Sequence, residues 1–429
     1  MTDARDYGFD TRALHAGQRV DPITGSRAVP LYQTTAYVFE DADHAADLFD
    51  LNRFGNIYTR IMNPTTAVFE ERVASLEGGV GALATASGLA AQSVAFMSLL
   101  DAGDHVVASS NLYGGSRNQL AVTLARFGIE TTFVDPADLG AWREAVIPRT
   151  RLLFGETIGN PRLDVLDIAA VAEVANEADV PLLIDNTFAT PYLCRPAEHG
   201  AHLVSHSATK WICGHGTTIG GVLVDAGTFP WAEGRFPALV EPSPGYRGMR
   251  YAETFGNFSF IMKARVETMR DLGPAMSPFN AFLLLQGLET LSLRMDRHVD
   301  NARALAEHLA AHPGVEWVSY PGLPDSPYRE LAERYLPRGP GAVLTFGVRG
   351  GREAGRRLIE ACELCSHLAN VGDAKTLIIH PASTTHRRLD DEGLRAAGVT
   401  DDMVRVAVGV EDLDDIVWDL DQAIASATG

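Results

Sequence analysis

The chain is short of basic charge. Lys and Arg together number 36 against 55 Asp and Glu, a formal net charge of -19 over 429 residues. Such a deficit leaves no chain-wide electrostatic footprint for a nucleic-acid backbone, so nucleic acid is not an expected partner. A small anionic ligand needs only a local cluster of donors and stays open. Cysteine is scarce: Cys194, Cys213, Cys362 and Cys365 are the whole complement. The last two form a C-x-x-C inside "AGRRLIEACELCSHLA", which has the pattern of a helix. No second pair or nearby histidine completes a zinc set, so no metal is expected there and the thiols read as core or partly exposed.

Long apolar runs are missing apart from Gly78 to Leu100, which carries no charge but is weak in Leu, Ile and Val and broken by Gly, Ser, Thr and Gln. It reads as a buried loop and helix, not a membrane span. The opening stretch "MTDARDYGFDTRALHAG" carries acids early and has no apolar h-region, so it does not read as a secretory signal, and cytoplasm is the expected compartment. Fixed-period repeats and low-complexity segments are absent as well.

What is present is ordinary for a folded soluble protein, with 46% apolar and 21% charged residues. The length is about three times the usual domain unit. Residues 1–62 are poor in regular pattern, with "SRAVPLYQTTAYVFED" and "NRFGNIYTRIMNPTT" as polar and aromatic stretches, and read as an arm packed on another surface. Residues 63–272 alternate short apolar runs with helical patterns, the signature of a mostly parallel sheet with crossover helices, an α/β fold. The runs "HVVASS", "RLLFGET", "VPLLIDN", "HLVSHS" and "TIGGVLVDAG" read as its strands. Between the second and third, Ile168, Val171, Val174 and Ala175 share one helical face and cover the sheet.

The stretch Phe229 to Phe260 is rich in Pro, Gly and aromatics and too long for a simple connection. It reads as an active-site or interface loop, or a surface insertion. Residues 273–429 form a smaller C-terminal α/β unit. One long helical pattern opens it at Ser277, a cap position with Pro278 in the first turn. "GAVLTFGV" and "KTLIIHPAS" read as strands and "EDLDDIVWDLDQAIASA" as a terminal helix.

In an open parallel sheet, ligands sit outside the carboxyl ends of the strands. Reading past each strand gives Tyr113 in "NLYGGS", Asn160 in "ETIGNP", Asp185 closing "PLLID" with Asn186 and Thr187 next, and Ser207, Thr209 and Lys210 in "HSATKW". Upstream, "ASGLAAQ" sets Ser87, Gly88 and Leu89 at a helix start, where free N–H groups and the dipole suit a phosphate. Each residue alone has a bland reading. A lysine after a strand is usually a solvated charge, an aspartate there a cap or turn residue, and Tyr113 a half-buried aromatic. Lys210 precedes the glycines of "GHGTTIGG", whereas a P-loop lysine follows them, and no G-x-G-x-x-G follows the first strand, so a nucleotide loop is excluded. An amine, a carboxylate, an aromatic plate and a phosphate cradle are together what pyridoxal 5'-phosphate requires.

In order along the chain, "QTTAYVF", "YTRIMNPT", "ASGLAA", "NLYGGS", "ETIGNP", "DNTFATP", "SATKW", "GDAKTLIIHPASTTH" and "VRVAVGVED" resemble the Cys/Met-metabolism family of pyridoxal-phosphate enzymes. The resemblance covers nearly the whole chain. It implies an aspartate-aminotransferase-like fold, fold type I of the PLP-dependent transferases, with pyridoxal 5'-phosphate (PLP) as cofactor. Position by position, it makes Lys210 the cofactor-holding lysine and proton shuttle, Asp185 the partner of the pyridinium nitrogen, Tyr113 the stacking ring and Asn160 a donor near the phenolic oxygen. Gly88, Leu89, Ser207 and Thr209 match the phosphate cup. Tyr58 and Arg60 match a pair that reaches the phosphate and substrate from a neighbouring subunit, which implies an obligate homodimer, commonly paired into a homotetramer. Arg405 matches the clamp on the substrate carboxylate, a role suited to bidentate guanidinium geometry, with Asn370 adding a contact.

Within the family, the length, the Phe229 to Phe260 segment, "SPFNAFLLLQGLETLSLRMDRH", "WVSYPGLPDSP" and "LANVGDAKTLIIHPASTTH" resemble the branch that replaces the acetyl group of O-acetylhomoserine with sulfide or a thiol. Gly115 stands where the methionine-cleaving lyases carry a cysteine, which weakens the case for a lyase. An O-succinylhomoserine sulfhydrylase, a cystathionine γ-synthase, a γ-lyase and a catalytically inactive PLP-binding regulator remain as alternatives. His380 and His386 fit no usual metal pair and read as structural or near the substrate loop. His206 reads as a satisfied core histidine, and His215 as either a turn residue or a pocket wall.

Overall fold

The structure, a computed structural model, describes residues 5–385, 387, 390, 394 and 398–429. Its larger sheet contains β1 (Gly81–Thr85), β2 (His105–Ser109), β3 (Glu130–Val134), β4 (Thr150–Glu156), β5 (Leu182–Asp185), β6 (Leu203–His206) and β7 (Gly221–Asp225) in the order β1-β7-β6-β5-β4-β2-β3. The block from β6 to β3 is parallel, and β7 runs antiparallel between β6 and β1. The smaller sheet contains β8 (Val315–Ser319), β9 (Val343–Val348), β10 (Ser366–His367), β11 (Leu377–Ile379) and β12 (Met403–Ala407), ordered β10-β11-β12-β9-β8.

Local chemistry sets the helix ends that matter. Helix α1 (Pro64–Glu77) opens on Asn63, whose side chain accepts from the Thr65 and Thr66 N–H groups, and closes on Gly78 in the left-handed region at φ 79°. Helix α2 (Gly88–Leu99) opens on Ser87, whose hydroxyl accepts from Ala90 N–H. The charge-free run Gly78 to Leu100 is therefore a buried strand, β1, and a buried helix; the expected loop is a strand. Helix α3 (Ile168–Glu177) buries Ile168, Val171, Val174 and Ala175 against the sheet.

Two features of the C-terminal part differ from the sequence reading. The long helical pattern from Ser277 is two helices, α4 (Pro278–Glu289) and α5 (Leu291–Ala311), broken at Thr290 with φ -118° and ψ 15°. Gly287 in α4 packs so closely on the Ile212 and Cys213 carbonyls that any side chain there would overlap them. The break lets α4 keep that contact while α5 runs from the core of the larger sheet to that of the smaller one. Ser277 occupies the cap position but its side chain makes no capping bond. The C-x-x-C is likewise not helical: α6 (Gly351–Ala361) ends at Ala361. Asp419, on the terminal helix α7 (Leu413–Thr428), accepts the N–H groups of Glu363, Leu364 and Cys365 and so holds the turn open. Cys362 and Cys365 are free thiols, the second buried.

Residues 229–260 build their own aromatic layer. Phe229, Trp231, Phe236, Tyr251 and Phe260 are buried in one cluster with α2 residues Val94 and Phe96, and Trp231 stacks on Phe260 at 5.1 Å. No helix among the described residues is long and apolar enough to cross a membrane.

The larger sheet also approaches α2 unusually closely, because a Cβ on Gly221 would overlap the Ser87 carbonyl and the Gly88 nitrogen. Both partners are backbone, so neither can rotate away. Gly221→Ala is therefore expected to cost about 1–3 kcal/mol, as other overpacking substitutions do, and to lower the melting temperature. Gly8→Ala, with open space around it, is the neutral control in the same thermal melt.

Candidate active site

A single pocket collects the carboxyl ends of the parallel strands, the start of α2 and the near edge of the smaller sheet. Its wall includes Ser87, Gly88, Leu89, Gln92, Tyr113, Glu156, Asn160, Asp185, Thr187, Ser207, Thr209, Lys210, Asn370 and Arg405. Every site residue expected from the sequence is here except Tyr58 and Arg60. Those two lie on the N-terminal arm, with the Arg60 guanidinium 5.1 Å from the Tyr58 ring centre and Tyr58 41% exposed.

The pocket has an acidic floor at β5. Asp185 is buried, yet its carboxylate is well supplied with donors: Gln92 Nε2 at 2.7 Å on one oxygen, and the Thr187 N–H at 2.9 Å and the Thr187 hydroxyl on the other. Burial still raises its pKa, while the Thr187 and Gln92 bonds and the nearby His206 pull the other way. A buried carboxylate in that state gains from a cationic N–H placed in the pocket. Thr187 also accepts the Ser207 N–H at 2.8 Å, tying the lysine turn to β5.

The opposite wall is cationic. Arg405, on β12, donates from Nη1 to Asn160 Oδ1 at 3.2 Å and from Nη2 to the Asn370 carbonyl at 3.5 Å. With its oxygen engaged, Asn160 keeps its amide N–H groups for the pocket. Lys210 Nζ donates to Asn370 Oδ1. Burial, helped by the Arg405 charge, lowers the Lys210 pKa to about 8.

A phosphate-sized cradle lies beside them. Gly88 approaches Ser207 so closely that a Cβ on it would sit 2.7 Å from the Ser207 Cβ, which brings the first N–H groups of α2 against the Ser207 turn. Thr209 lines the same wall, but its hydroxyl exchanges hydrogen bonds of 3.1 Å with the Gly220 carbonyl and N–H. Donation to a ligand requires turning that hydrogen away from Gly220. Tyr113 stands over the opening, 52% exposed, at the start of the short helix Gly114–Asn118.

Gln92 and Glu156 are the polar wall residues that sequence reasoning passed over, as it did the apolar Ile158, Phe188, Ile219, Ala369 and Val371. Gln92 lies one turn beyond Gly88 on the same face of α2, a spacing that could have pointed to it. Glu156 closes β4 as Asp185 closes β5. The histidines fall outside the pocket. His206 pairs with the buried Glu77, His215 is an exposed turn residue bonded to the Cys213 carbonyl, and His380 is held by Ser383 and the Asp401 carbonyl. His386 lies outside the described residues.

The donor set fits pyridoxal phosphate: helix N–H groups and a serine for the phosphate, a buried carboxylate for the ring nitrogen, and an amine of lowered basicity for the aldehyde. Together with a mostly parallel sheet and a second, smaller sheet, it defines the fold type I class of PLP-dependent enzymes. Residues 10–425 match the family described as Cys/Met metabolism PLP-dependent enzyme, and the chain belongs to that family. It is 54% identical to an O-acetyl-L-homoserine sulfhydrylase of Leptospira meyeri, with 98% of this chain and 97% of that one covered. It is 55% identical to a homocysteine synthase of Schizosaccharomyces pombe, with 98% of each covered. A Campylobacter jejuni crystal structure assigned as an O-acetylhomoserine (thiol)-lyase, carrying a pyridoxyl phosphate on a lysine, superposes with a TM-score of 0.95 at 38% identity and covers 98% of this chain and 100% of its own.

The Lys210 environment has a consequence for stability in the cofactor-free protein. Its folded pKa of about 8 lies below the 10.5 of an ordinary lysine amine. Between those values the unfolded chain binds the extra proton, so stability rises with pH across that window. The gain is at most about 3 kcal/mol and is expected to vanish in Lys210→Met. Urea titrations of both cofactor-free proteins at pH 7.5 and pH 10 (conditions chosen at about the window's edges) check this: equal pH dependence in the two would contradict it.

Proposed function

We propose that the protein catalyses γ-replacement on O-acetyl-L-homoserine, exchanging acetate for sulfide or methanethiol to give L-homocysteine or L-methionine. The observation that carries this reading is that Lys210 shares one pocket with Asp185 and Arg405 and lies close enough to feel the Arg405 charge, an amine with a proton to move beside a carboxylate clamp. The names of the relatives support the acetyl donor.

When bound, the cofactor withdraws electrons from the substrate carbon skeleton, which makes the Cα and Cβ protons removable. Arg405 takes the substrate carboxylate in a bidentate contact, and Asn160 and Asn370 fix the guanidinium that does so. This holds the Cα–H toward Lys210. The Lys210 amine removes the Cα proton, a task its lowered basicity suits near neutral pH. A second proton leaves Cβ, with the Tyr113 hydroxyl placed over the opening to assist. Acetate departs from Cγ, the thiol adds at Cγ as a proton returns to Cβ, and Lys210 gives the proton back to Cα. Gly115 sets no side chain beside the Tyr113 ring, in the position where the methionine-cleaving lyases carry a cysteine. That favours replacement over the lyase reading.

The same reading makes the working unit at least a homodimer. Tyr58 and Arg60 lie outside their own pocket, and the arm that carries them exposes Ile23 at 91%, Val38 at 99% and Phe54 at 67%. Large apolar groups left out on one segment mark an interaction surface, and a second copy with its own pocket supplies the surface they fit.

Turnover with O-acetyl- and O-succinylhomoserine, each with sulfide, methanethiol and cysteine, tests the function. Preference for the acetyl ester with sulfide or methanethiol is expected, and activity confined to methionine or cystathionine cleavage overturns it. Lys210→Ala is expected to lose turnover together with the visible absorbance of the lysine-bound cofactor. Mixed Lys210→Ala and Arg60→Ala subunits, unfolded and refolded together, are expected to exceed the sum of the two parents' activities. In a hybrid, one pocket regains both an intact Lys210 and an intact Arg60. No gain on mixing contradicts the shared site.

A further inference from the structure

Glu156 is a buried carboxyl group in the pocket wall that the reaction above does not use. It closes β4 in register with Asp185 at the end of the parallel neighbour β5, so the two acids stand side by side on one face of the sheet. Two carboxylates so placed in a buried site do not both ionise without a large cost. Their hydrogen bonds are unequal. Asp185 receives Gln92 and both the N–H and hydroxyl of Thr187. Among the described residues, the Glu156 carboxyl accepts one hydrogen bond, from the backbone N–H of Tyr113 at 2.7 Å.

That bond crosses from the sheet to the residue whose ring covers the pocket. Tyr113 is otherwise lightly held: its carbonyl accepts the Arg117 N–H at 3.0 Å, its side chain is half exposed, and the short helix it opens has no side-chain cap. We propose that Glu156 is a positioning residue that fixes the Tyr113 ring over the cofactor by accepting its backbone N–H, and that it does so as an uncharged acid beside the ionised Asp185.

The electrostatics agree in direction. Burial pushes the Glu156 carboxyl well above its ordinary range, and the neighbouring charges of Asp185 and then Asp164 push it the same way, against the Tyr113 bond. Lys210 and Arg405 line the same pocket, with Lys210 held by Asn370 and Arg405 by Asn160 and Asn370, so neither is engaged by Glu156. A protonated Glu156 still offers one oxygen to Tyr113 N–H and turns its O–H toward the pocket. Glutamine reproduces both features and leucine neither.

The inference rests on the reading of Tyr113 as the stacking ring, and the experiment separates the two. The rate of cofactor release from the holoenzyme after dilution is measured for the wild type, Glu156→Gln, Glu156→Leu and Tyr113→Ala. Release is expected to stay within about two-fold of wild type in Glu156→Gln and to accelerate about ten-fold or more in Glu156→Leu, the scale of a lost buried hydrogen bond. If Tyr113→Ala speeds release and Glu156→Leu does not, the positioning role fails while the site reading stands. If Tyr113→Ala has no effect, both fail. If Glu156→Gln releases cofactor as fast as Glu156→Leu, the uncharged state is wrong. Infrared difference spectra of the wild-type and Glu156→Gln holoenzymes decide the protonation state even where the leucine variant does not fold. The carbonyl stretch of a protonated carboxylic acid is expected in the wild type and lost in the variant, and its absence from the wild type overturns the inference.

Discussion

The close approach of α2 to the ends of β6 and β7 is the constraint on which the site depends. Gly88 touches Ser207 and Gly221 touches the Ser87 backbone, at distances that admit no side chain. That contact brings unsatisfied helix N–H groups beside the turn carrying Ser207 and Lys210. It also places Gln92, one turn along α2, within 2.7 Å of Asp185. The phosphate cradle, the lysine turn and the support of the carboxylate floor therefore share one packing event. Loosening it would disturb all three together.

Charge is arranged across the pocket in the same economical way. Burial would drive three ionisable groups, Asp185, Lys210 and Arg405, each toward neutrality, and each is met by neutral partners. The amide oxygens face the cations, and the hydroxyl and N–H of Thr187 face the acid. Neutral amides between charged groups fix geometry without adding charge of their own, which keeps Lys210 a usable base and Arg405 a usable clamp. Asn370 meets both cations, Lys210 through its side chain and Arg405 through its backbone carbonyl, so a substitution there removes the Lys210 contact and leaves the Arg405 one.

How much of this was legible follows from which interactions are local. Asp185, Ser207, Thr209 and Lys210 could be read because a parallel sheet sends the carboxyl ends of its strands to one edge, and those residues stand at or just past such ends. Glu156 also stands at a strand end, but its significance lies in its register with Asp185 and its bond to Tyr113. Both are long-range facts with no local signature. The break at Thr290 was hidden for a similar reason: the apolar pattern runs straight through, and the cause is the packing of Gly287 on a distant turn. The C-x-x-C looked helical because Asp419, far along the chain, ends the helix there.

The Phe229 to Phe260 segment gains a role from what it touches. It contributes nothing to its own pocket wall as described, which removes a direct part in choosing between acetyl and succinyl donors within one subunit. Arg247 instead pairs with Asp50 of the arm at 3.1 Å. Just beyond the segment, Arg265 donates to the Ile61 carbonyl at 2.9 Å, the Ala82 carbonyl at 3.0 Å and Glu70 at 2.7 Å. Glu70 in turn accepts the Ala84 N–H of β1. The exposed Arg247 pair contributes little by itself, but the Arg265 network is largely buried and joins the foot of the Tyr58 and Arg60 turn to β1 and α1. The insertion layer thus meets the arm through Arg247, and the Arg265 network next to it braces the turn that carries Tyr58 and Arg60.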